Sequence, residues 1–322
     1  MKQYDVVALG ELLIDFTGNG FSQQENYLME VNPGGAPCNV LSMLARLGKK
    51  VAFIGKVGND FFGKHLKETV ENLGIDTQML FMDEEVNTTL AFVHTLEGGE
   101  RTFSFYRNPG ADMMLRPEEI DEGLLSQSKI FHFGSLSLTH PGAREATKKA
   151  IQIAKNNGCL ISFDPNLREK LWSSLEEAKE QIAYGMSQCD VLKISDNEIQ
   201  WFTGKQDFDE GIQLLQETYH IPLILLSMGR QGSRAYYHTL CVEAAPFLMK
   251  NTIETTGAGD TFCACVLNFI LEHGLQGLDE GNLLEMLRFA NAAAALITTR
   301  KGALRVMPTK EEIDKLVSCE NR

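Results

Sequence analysis

The sequence contains few basic residues for its length. Its 322 residues include 30 Lys and Arg against 43 Asp and Glu, which gives a formal net charge of −13. Because nucleic-acid binding depends on clustered Lys and Arg, we expect no nucleic-acid partner. No apolar run approaches the roughly 20 residues of a membrane span, and the first one, Val6 to Leu9, is too short for a signal peptide. We therefore expect a cytoplasmic protein with no membrane partner.

Motifs of several enzyme classes are also missing. The seven histidines show no metal-ligand spacing, and there is no Gly-x-Ser-x-Gly or Cys-x-x-Cys sequence. This excludes zinc hydrolases and serine esterases and indicates that the cysteines are reduced thiols. Gly10-Glu11-Leu12 stands where a dinucleotide-binding fingerprint would follow the first strand, which disfavours a dehydrogenase. Residues 58–64 have Walker A spacing, but His65 replaces the required Ser or Thr, so we reject that interpretation.

What the sequence does contain is a repeated alternation of short apolar runs with longer helical patterns. Such alternation predicts an α/β fold with a mostly parallel sheet. Strands are expected at residues 5–9, 50–54, 130–133, 160–164, 191–194 and 223–227. Helices are expected at residues 36–47, 62–73, 143–156, 174–186, 207–219, 261–273 and 283–298, where apolar residues recur every three or four positions.

Two stretches lack this rhythm and predict a small accessory sheet. The second contains a predicted hairpin around Glu97-Gly98-Gly99-Glu100, whose glycines can adopt positive φ angles. We expect one domain over residues 1–322, with the accessory segments near residues 11–33 and 87–108. A small sheet leaves an apolar face and open edges exposed, so we also expect a homodimer formed through it.

The strongest local motif is Thr-Thr-Gly-Ala-Gly-Asp at residues 255–260, directly before an apolar helical stretch. Free backbone N–H groups and the positive end of a helix dipole make such a turn an anion site suited to phosphate. An acid in that site repels its ligand unless it has a task, and Asp260 would have one in taking a proton from an attacking hydroxyl. The simpler alternative is that Asp260 only caps the helix.

A second glycine-rich motif covers residues 32–39 and includes Gly34, Gly35 and Asn39. Paired glycines allow a ligand to approach the backbone, and an Asn side chain can donate and accept hydrogen bonds from a polyhydroxyl compound. The alternative is an ordinary tight turn.

Further polar segments follow predicted strands, at the strand ends where open α/β sheets bind ligands. Residues 164–168 offer an acid, an amide and a guanidinium, and residues 227–232 offer a flexible turn that could accommodate phosphate or base. Glu198 could organise magnesium through water. Each segment also has a simpler interpretation, which is turn chemistry for the first two and a capping box for Ser195 with Glu198.

Together, the two glycine-rich motifs resemble the hallmark motifs of the ribokinase/PfkB family of carbohydrate kinases. Other segments agree with that family in order along the chain, namely residues 55–63, 164–166, 195–198, 227–232 and 289–293. Residues 106–112 and 164–168, with Trp172, are most similar to fructokinases within the family. The resemblance implies a three-layer α/β/α core with a mostly parallel sheet and a β-sheet lid.

The implied activity is ATP-dependent transfer of the γ-phosphate to a primary hydroxyl of a small sugar. Fructose is the first expected substrate and 2-keto-3-deoxygluconate is the second, since Arg107 and Arg168 could contact hydroxyls or clamp a carboxylate. A non-catalytic regulator that binds sugar or nucleotide is the alternative from another class. ATP and Mg²⁺ are the implied cofactors. Potassium activation is open because Glu254 stands where the family commonly has Asp.

The resemblance also implies roles for single residues. Asp260 would be the catalytic base, and the backbone of Gly257, Ala258 and Gly259 would form the anion hole. The implied sugar contacts are Asp15, Gly34, Gly35, Asn39, Arg107 and Arg168. The implied nucleotide contacts are Ser195, Ser227, Gly229, Gly232 and Asn291, with Glu198 near magnesium.

Overall fold

A nine-stranded sheet forms the centre of the protein in a computed structural model that describes residues 2–95 and 101–320. The strands of the described residues are β1 (Tyr4–Leu9), β2 (Leu13–Phe21), β3 (Tyr27–Gly34), β4 (Val51–Gly58), β5 (Ile75–Asp83), β6 (Leu90–Thr95), β7 (Arg101–Tyr106), β8 (Ser128–Gly134), β9 (Leu160–Asp164), β10 (Val191–Ser195), β11 (Leu223–Ser227), β12 (Ser233–Tyr237) and β13 (Leu240–Ala244). The large sheet has the order β13-β12-β11-β10-β9-β8-β1-β4-β5. Its strands are parallel except at the edge formed by β12 and β13.

Helices cover both faces of this sheet. They are α1 (Ala36–Arg46), α2 (Phe61–Asn72), α3 (Glu122–Ser126), α4 (Pro141–Asn156), α5 (Leu175–Gln188), α6 (Asp196–Thr203), α7 (Phe208–Tyr219), α8 (Ala258–His273), α9 (Glu280–Ile297) and α10 (Lys310–Glu320). Successive side chains of a strand point to opposite faces, so Val6 and Ala8 of β1 join the core with α1, α8 and α9. Val7 and Leu9 join the other core with α4, α5 and α7. The result is the expected three-layer α/β/α architecture.

All the predicted strands and helices are present, with shifts of a few residues at their ends. Six elements were not predicted from the sequence, namely β5, β12, β13, α3, α6 and α10. Two of these helices, α3 and α6, have only five and eight residues, and in α10 most residues are polar. Such segments carry too few apolar positions for a helical period to stand out.

The two accessory segments form one four-stranded sheet, which we call the lid, with the order β3-β2-β6-β7. β6 and β7 pair antiparallel from Leu90 opposite Tyr106 to Thr95 opposite Arg101, as expected of a hairpin. The predicted turn at residues 97–100 lies outside the described residues. Phe16 of the lid stacks on Phe92 at 4.8 Å and meets Phe62 of α2 edge-on at 5.7 Å, which joins the lid to the core.

The strand order also predicts a crevice at the carboxyl ends of the strands, beside β1. β1 lies between β4 and β8, so the chain adds strands first on one side of β1 and later on the other. Open α/β sheets bind ligands at the carboxyl ends of their strands near such a reversal. None of the helices in residues 2–95 and 101–320 is long and apolar enough to cross a bilayer.

The start of α2 is fixed by Asp60 rather than by a phosphate. Its carboxylate accepts hydrogen bonds from the Gly63 N–H at 2.7 Å, the Thr88 N–H at 2.7 Å and the Thr88 hydroxyl at 2.8 Å. Burial opposes ionisation, but these hydrogen bonds hold the pKa of Asp60 below its ordinary value. This agrees with the rejection of a Walker A loop here.

We predict that Asp60→Ala lowers the free energy of unfolding at neutral pH by about 1–3 kcal/mol, because buried donors lose their acceptor. The matched control is Asp207→Ala, which removes a cap of α7 that accepts one hydrogen bond, from the Glu210 N–H at 3.0 Å. Since the folded-state pKa of Asp60 is lowered, its contribution is present above the ordinary Asp pKa and is lost as the pH falls through the folded value. Urea unfolding at several pH values measures both effects. A loss no larger than that of the control would contradict the prediction.

Candidate functional site

A cavity of about 450 Å³ lies at the carboxyl ends of β9 and β10, under the lid. It is lined by the turn after β1, the first residues of β2, the start of α1, the segment after β9 and the start of α8. Its charged and polar lining residues include Glu11, Asp15, Asn39, Arg168, Lys193 and Asp260, together with the backbone of Gly35, Gly257 and Gly259. Residues that are up to 249 positions apart in the sequence therefore meet here.

Asp260 lies in the first turn of α8, and its carboxylate faces α1. The Asn39 amide donates a hydrogen bond to Asp260 Oδ2 at 2.7 Å. Gly257 precedes the helix with a φ of 75°, and no side chain caps the helix start. The capping interpretation of Asp260 therefore does not hold. Burial raises the pKa of Asp260, while the Asn39 hydrogen bond and the charges of Lys193 and Arg168 lower it.

The start of α8 presents backbone N–H groups toward the same cavity. The first N–H groups of a helix have no partner within the helix. Ala258 donates its N–H to the Thr255 carbonyl oxygen at 3.2 Å, a long hydrogen bond within the turn. A side chain at position 257 would place its Cβ 2.7 Å from Ala303 Cβ, so glycine is required there. The turn is thus built for close approach of a ligand to backbone.

The second glycine-rich motif packs closely against the Asp15 carboxylate and the Glu11 backbone. A Cβ on Gly34 would lie 2.3 Å from Asp15 Oδ2, and a Cβ on Gly35, which has a φ of 128°, would lie 2.4 Å from the Glu11 carbonyl oxygen. Glu11 accepts a hydrogen bond from the Ala36 N–H at 2.8 Å, at the start of α1. The motif is therefore a tight turn, and its lack of side chains also leaves room for acids that line the cavity.

Burial raises the pKa of both Glu11 and Asp15 to about 7. For Asp15, the charge of Arg168 opposes that rise, and the charges of Glu254 and Asp260 add to it. The lining of the cavity therefore contains three carboxyl side chains and two cations, Arg168 and Lys193.

Lys193 was not identified from the sequence. It is buried in β10, and its ammonium lies 3.1 Å from Asp164 Oδ2 at the end of β9. Burial opposes its charge, but the carboxylates of Asp164, Glu198 and Asp260 raise the pKa of Lys193 above its ordinary value. The available signal was one lysine inside an otherwise apolar strand, two residues before the strand ends at Ser195.

Ser195 and Glu198 form the capping box that the sequence allowed as an alternative. Glu198 Oε2 accepts hydrogen bonds from the Ser195 N–H at 2.8 Å and the Ser195 hydroxyl at 2.7 Å. Glu198 Oε1 accepts from the Leu167 N–H at 2.8 Å, which ties α6 to the segment after β9. Burial opposes ionisation, but Lys193 and these hydrogen bonds lower the pKa of Glu198. Ser195 lines neither this cavity nor the one described next.

A second cavity of about 410 Å³ adjoins the first. It is lined by the predicted nucleotide residues Ser227, Gly229, Gly232 and Asn291 and by an apolar set that the sequence analysis missed: Phe247, Leu248, Met249 and Phe262. Thr255 and Gly259 line both cavities, so the two spaces meet at the glycine-rich turn.

Asn291 shapes the wall of this second cavity through bonds within the protein. Its Oδ1 accepts from the Ser233 hydroxyl at 2.9 Å, and its Nδ2 donates to the carbonyl oxygens of Ala244 and Ala245 at 3.2 and 3.1 Å. The side-chain amide is therefore already engaged at both ends. Asn291 holds the segment before Phe247 in place.

The structure does not bring Arg107 to the sugar-side cavity. Its buried guanidinium lies 2.7 Å from Asp112 Oδ2, and it donates to the Thr139 hydroxyl at 2.9 Å and the Leu136 carbonyl oxygen at 3.2 Å. Each of the three guanidinium nitrogens thus has a partner inside the protein. Arg107 was expected among the sugar contacts through the family resemblance, since the partners of a guanidinium cannot be read from its neighbours in sequence.

The described residues contain no cluster of three or more His, Cys, Asp or Glu side chains arranged to hold a metal ion. Glu198 is anionic, but both of its oxygens already accept hydrogen bonds from the chain. Magnesium usually keeps several waters and binds through few protein carboxylates together with substrate phosphates. Glu198 lines neither cavity, so the residues present fit that mode only with water between Glu198 and the ion.

We predict that Arg107→Met lowers the free energy of unfolding by about 3–5 kcal/mol, because Asp112 is left as an unpaired buried charge. Arg168→Met is the matched control. Its guanidinium is half-buried and donates to the Leu167 carbonyl oxygen at 3.0 Å, so its loss changes stability by about 1 kcal/mol or less. Denaturant unfolding compares the two variants. Equal stability of both would contradict a structural role for Arg107.

Comparison with known proteins agrees with this arrangement. A family described as pfkB family carbohydrate kinase matches residues 3–310. Probable fructokinase-2 of Arabidopsis thaliana is 42% identical over 306 residues, which cover 94% of this chain and 93% of that protein. Among solved structures, fructokinase from Xylella fastidiosa with bound ATP matches with a TM-score of 0.90 and 31% identity, covering 100% of both chains. Fructokinase from Vibrio cholerae O395, in its fructose, ADP and calcium ion bound form, matches with a TM-score of 0.86 and 32% identity over 98% of this chain and 99% of that one.

These matches confirm the resemblance stated from the two glycine-rich motifs. They extend over nearly the whole chain, in sequence and in fold. The chain therefore belongs to the pfkB family of carbohydrate kinases.

Proposed function

We propose that this protein is an ATP-dependent fructokinase. The observation that carries the proposal is the position of Asp260, whose carboxylate lines the acidic cavity one residue away from Gly259, where the two cavities meet. A sugar in the first cavity and a nucleotide in the second would approach each other at this turn. The relatives named fructokinase, one of them solved with fructose and ADP, support the choice of sugar.

In the proposed reaction, the sugar lies between the lid and the start of α8. The carboxylate of Asp15, the amide of Asn39 and the guanidinium of Arg168 bind its hydroxyl groups, since they line the cavity and offer both donors and acceptors. Gly34 contributes by leaving space beside Asp15, and Gly35 by leaving space beside the backbone of Glu11. The lid covers this cavity through Leu13, Asp15 and Phe105, which keeps water away from the reacting groups.

The transfer itself is an in-line displacement. The primary hydroxyl oxygen of the sugar forms a bond to the γ-phosphorus, the bond between that phosphorus and the ADP oxygen breaks, and the hydroxyl proton passes to the Asp260 carboxylate. Asn39 occupies Asp260 Oδ2 and so leaves Oδ1 toward the substrate. The backbone at Gly257, Ala258 and Gly259 and the dipole of α8 stabilise the charge on the transferring group. To bind the phosphate, the Ala258 N–H has to give up its hydrogen bond to the Thr255 carbonyl oxygen.

On the nucleotide side, we propose that the base and ribose occupy the second cavity against Ser227, Gly229 and Gly232. Asn291 acts indirectly, by holding the cavity wall. Glu198 would hold a magnesium ion through water, with Ser195 orienting Glu198, and the ion would neutralise part of the charge of the triphosphate. Potassium activation is tested by assays with and without that ion.

Glu254, where the family commonly has Asp, accepts a hydrogen bond from the Gly302 N–H at Oε1, at 2.7 Å. This bond joins the segment before α8 to the segment after α9.

The lining of the sugar-side cavity favours a neutral sugar over an acid sugar. Glu11, Asp15 and Asp260 line it with the two cations, and Arg107 is engaged elsewhere, so a pair of arginines does not clamp a carboxylate there. This is the reason for placing fructose before 2-keto-3-deoxygluconate.

We predict ADP release with Mg-ATP and fructose that exceeds the release with 2-keto-3-deoxygluconate, ribose, glucose or adenosine. A coupled assay across this panel, with and without potassium, measures it. Turnover with the keto acid alone would contradict the fructokinase assignment, although the protein would still be a sugar kinase. ATP binding without turnover on any sugar would instead favour the non-catalytic regulator.

We predict that Asp260→Asn lowers kcat by about 10²- to 10⁴-fold, since the proton acceptor is lost, while ATP affinity stays nearly unchanged. The matched control is Asp207→Asn, the same chemical change at the cap of α7, away from both cavities. Steady-state kinetics and nucleotide titration compare the two variants. A near-normal kcat in Asp260→Asn would remove Asp260 from the proposed role.

We propose further that the chain works as one kinase domain, with lid segments near residues 11–33 and 87–108, and pairs through the lid as a homodimer. Large apolar side chains are exposed on the lid at Phe21, Tyr27, Leu28, Val31 and Tyr106. We predict that the protein sediments at twice its monomer mass of 35.9 kDa and that Tyr27→Glu shifts it toward the monomer. Phe61→Glu, at an aromatic residue 78% exposed outside the lid, is the control. A monomer at micromolar concentration would contradict the dimer.

We propose the cytoplasm as its location. Cys38, Cys159, Cys189, Cys263 and Cys265 are buried and unpaired, which is typical of proteins kept in a reducing compartment. Cell fractionation that finds the protein outside the cytoplasm would contradict this.

A further inference from the structure

Lys193 is a buried cation that the proposed reaction, as described so far, does not use. Its side chain is 8% exposed, and it lines the sugar-side cavity together with Asp260. It comes from the middle of the sheet, on β10, where an apolar side chain would pack without desolvating a charge. A charge in such a place is costly unless it is paired. Even a paired charge is often no more stable than an apolar side chain of similar size, so packing alone does not explain a lysine here.

The ammonium of Lys193 lies directly against the glycine-rich turn. A Cβ built on Gly259 would be 3.1 Å from Lys193 Nζ, tighter than an ordinary contact. Gly259 lines both cavities, so Nζ stands beside the point at which sugar and nucleotide would meet. The absence of a side chain at Gly259 leaves the ammonium facing that point.

Asp164 holds the ammonium in this position. It ends β9, next to β10 in the sheet, and its Oδ2 and Oδ1 lie 3.1 and 3.3 Å from Nζ. An ammonium has three N–H donors, and among the described residues its hydrogen-bonding partner is this one carboxylate. Donors therefore remain for an anionic ligand, and Asp164 limits how far the side chain can swing.

We propose that Lys193 is a catalytic residue whose ammonium contacts the γ-phosphate of the nucleotide, and that Asp164 is its positioning residue. The catalytic role of Lys193 rests on the proposed function. Its contact with the γ-phosphate rests only on the geometry of the two cavities. During transfer, the bond from the γ-phosphorus to the ADP oxygen breaks, the bond to the sugar oxygen forms, and the hydroxyl proton goes to Asp260. Lys193 keeps its proton throughout and donates hydrogen bonds to the oxygens of the phosphoryl group.

Lys193→Met is the direct test, and Lys56→Met is a matched control. Lys56 is also buried on a parallel strand, β4, and is paired with carboxylates, 2.7 Å from Glu119 and 3.8 Å from Asp83, but it lines neither the sugar-side nor the nucleotide cavity. We expect Lys193→Met to lower kcat by about 10²- to 10³-fold with the KM for the sugar changed by about threefold or less. Lys56→Met loses stability and keeps kcat.

A second readout does not depend on the sugar. ATP carries the γ-phosphate and ADP does not, so loss of the contact lowers the preference for ATP over ADP by about tenfold or more, measured by calorimetric titration. Asp164→Asn lowers this preference in the same direction, which a purely structural residue would not do. Lys56→Met leaves it unchanged.

The outcomes separate the two proposals. If the wild type does not phosphorylate fructose but its preference for ATP is lost in Lys193→Met, the contact stands and the fructokinase assignment falls. If Lys193→Met keeps the ATP preference, or if Lys56→Met loses it equally, the contact is wrong, whatever the sugar.

Discussion

The structure depends on the close packing of acidic side chains at one end of the central sheet. Glu11, Asp15 and Asp260 line one cavity, and Asp164 lies directly behind it. Burial raises the pKa of Glu11 and Asp15 to about 7, because their charged forms lose contact with water. Charges gathered in this way require compensation from the chain, because each one is costly without a partner. Much of the local architecture supplies that compensation.

Two helix starts and one lysine provide most of it. The Ala36 N–H at the start of α1 binds Glu11, and Asn39, one turn later, binds Asp260 at the start of α8. Lys193 reaches Asp164 from the neighbouring strand. The glycines of both motifs allow this close packing, since a Cβ would collide with Asp15 at Gly34, with the Glu11 backbone at Gly35 and with Ala303 at Gly257. The same groups that hold the acids are those that would bind a sugar and a phosphate.

The sequence allowed prediction of those parts of the site whose chemistry is local. The glycine-rich turn that leads to Asp260 and the paired glycines before Asn39 could be recognised, because in each motif the turn and the helix start are neighbours in sequence. The internal partners of Arg107 were not foreseen and Lys193 was missed because the contacts of both lie on other elements: Arg107 bonds Thr139 and Leu136, and Lys193 meets Gly259 across 66 positions. The apolar wall formed by Phe247 to Met249 gave no periodic signal. Tertiary contacts decide such roles, and one sequence does not record them.

We expect this chain to move the γ-phosphate of ATP onto a primary hydroxyl of fructose. The reaction is followed by ³¹P nuclear magnetic resonance of a mixture of the protein with Mg-ATP and fructose. We predict a new phosphomonoester signal, coupled to the two protons of a methylene group, growing in step with ADP. Inorganic phosphate as the only new signal, or an ester coupled to a single proton, would contradict it.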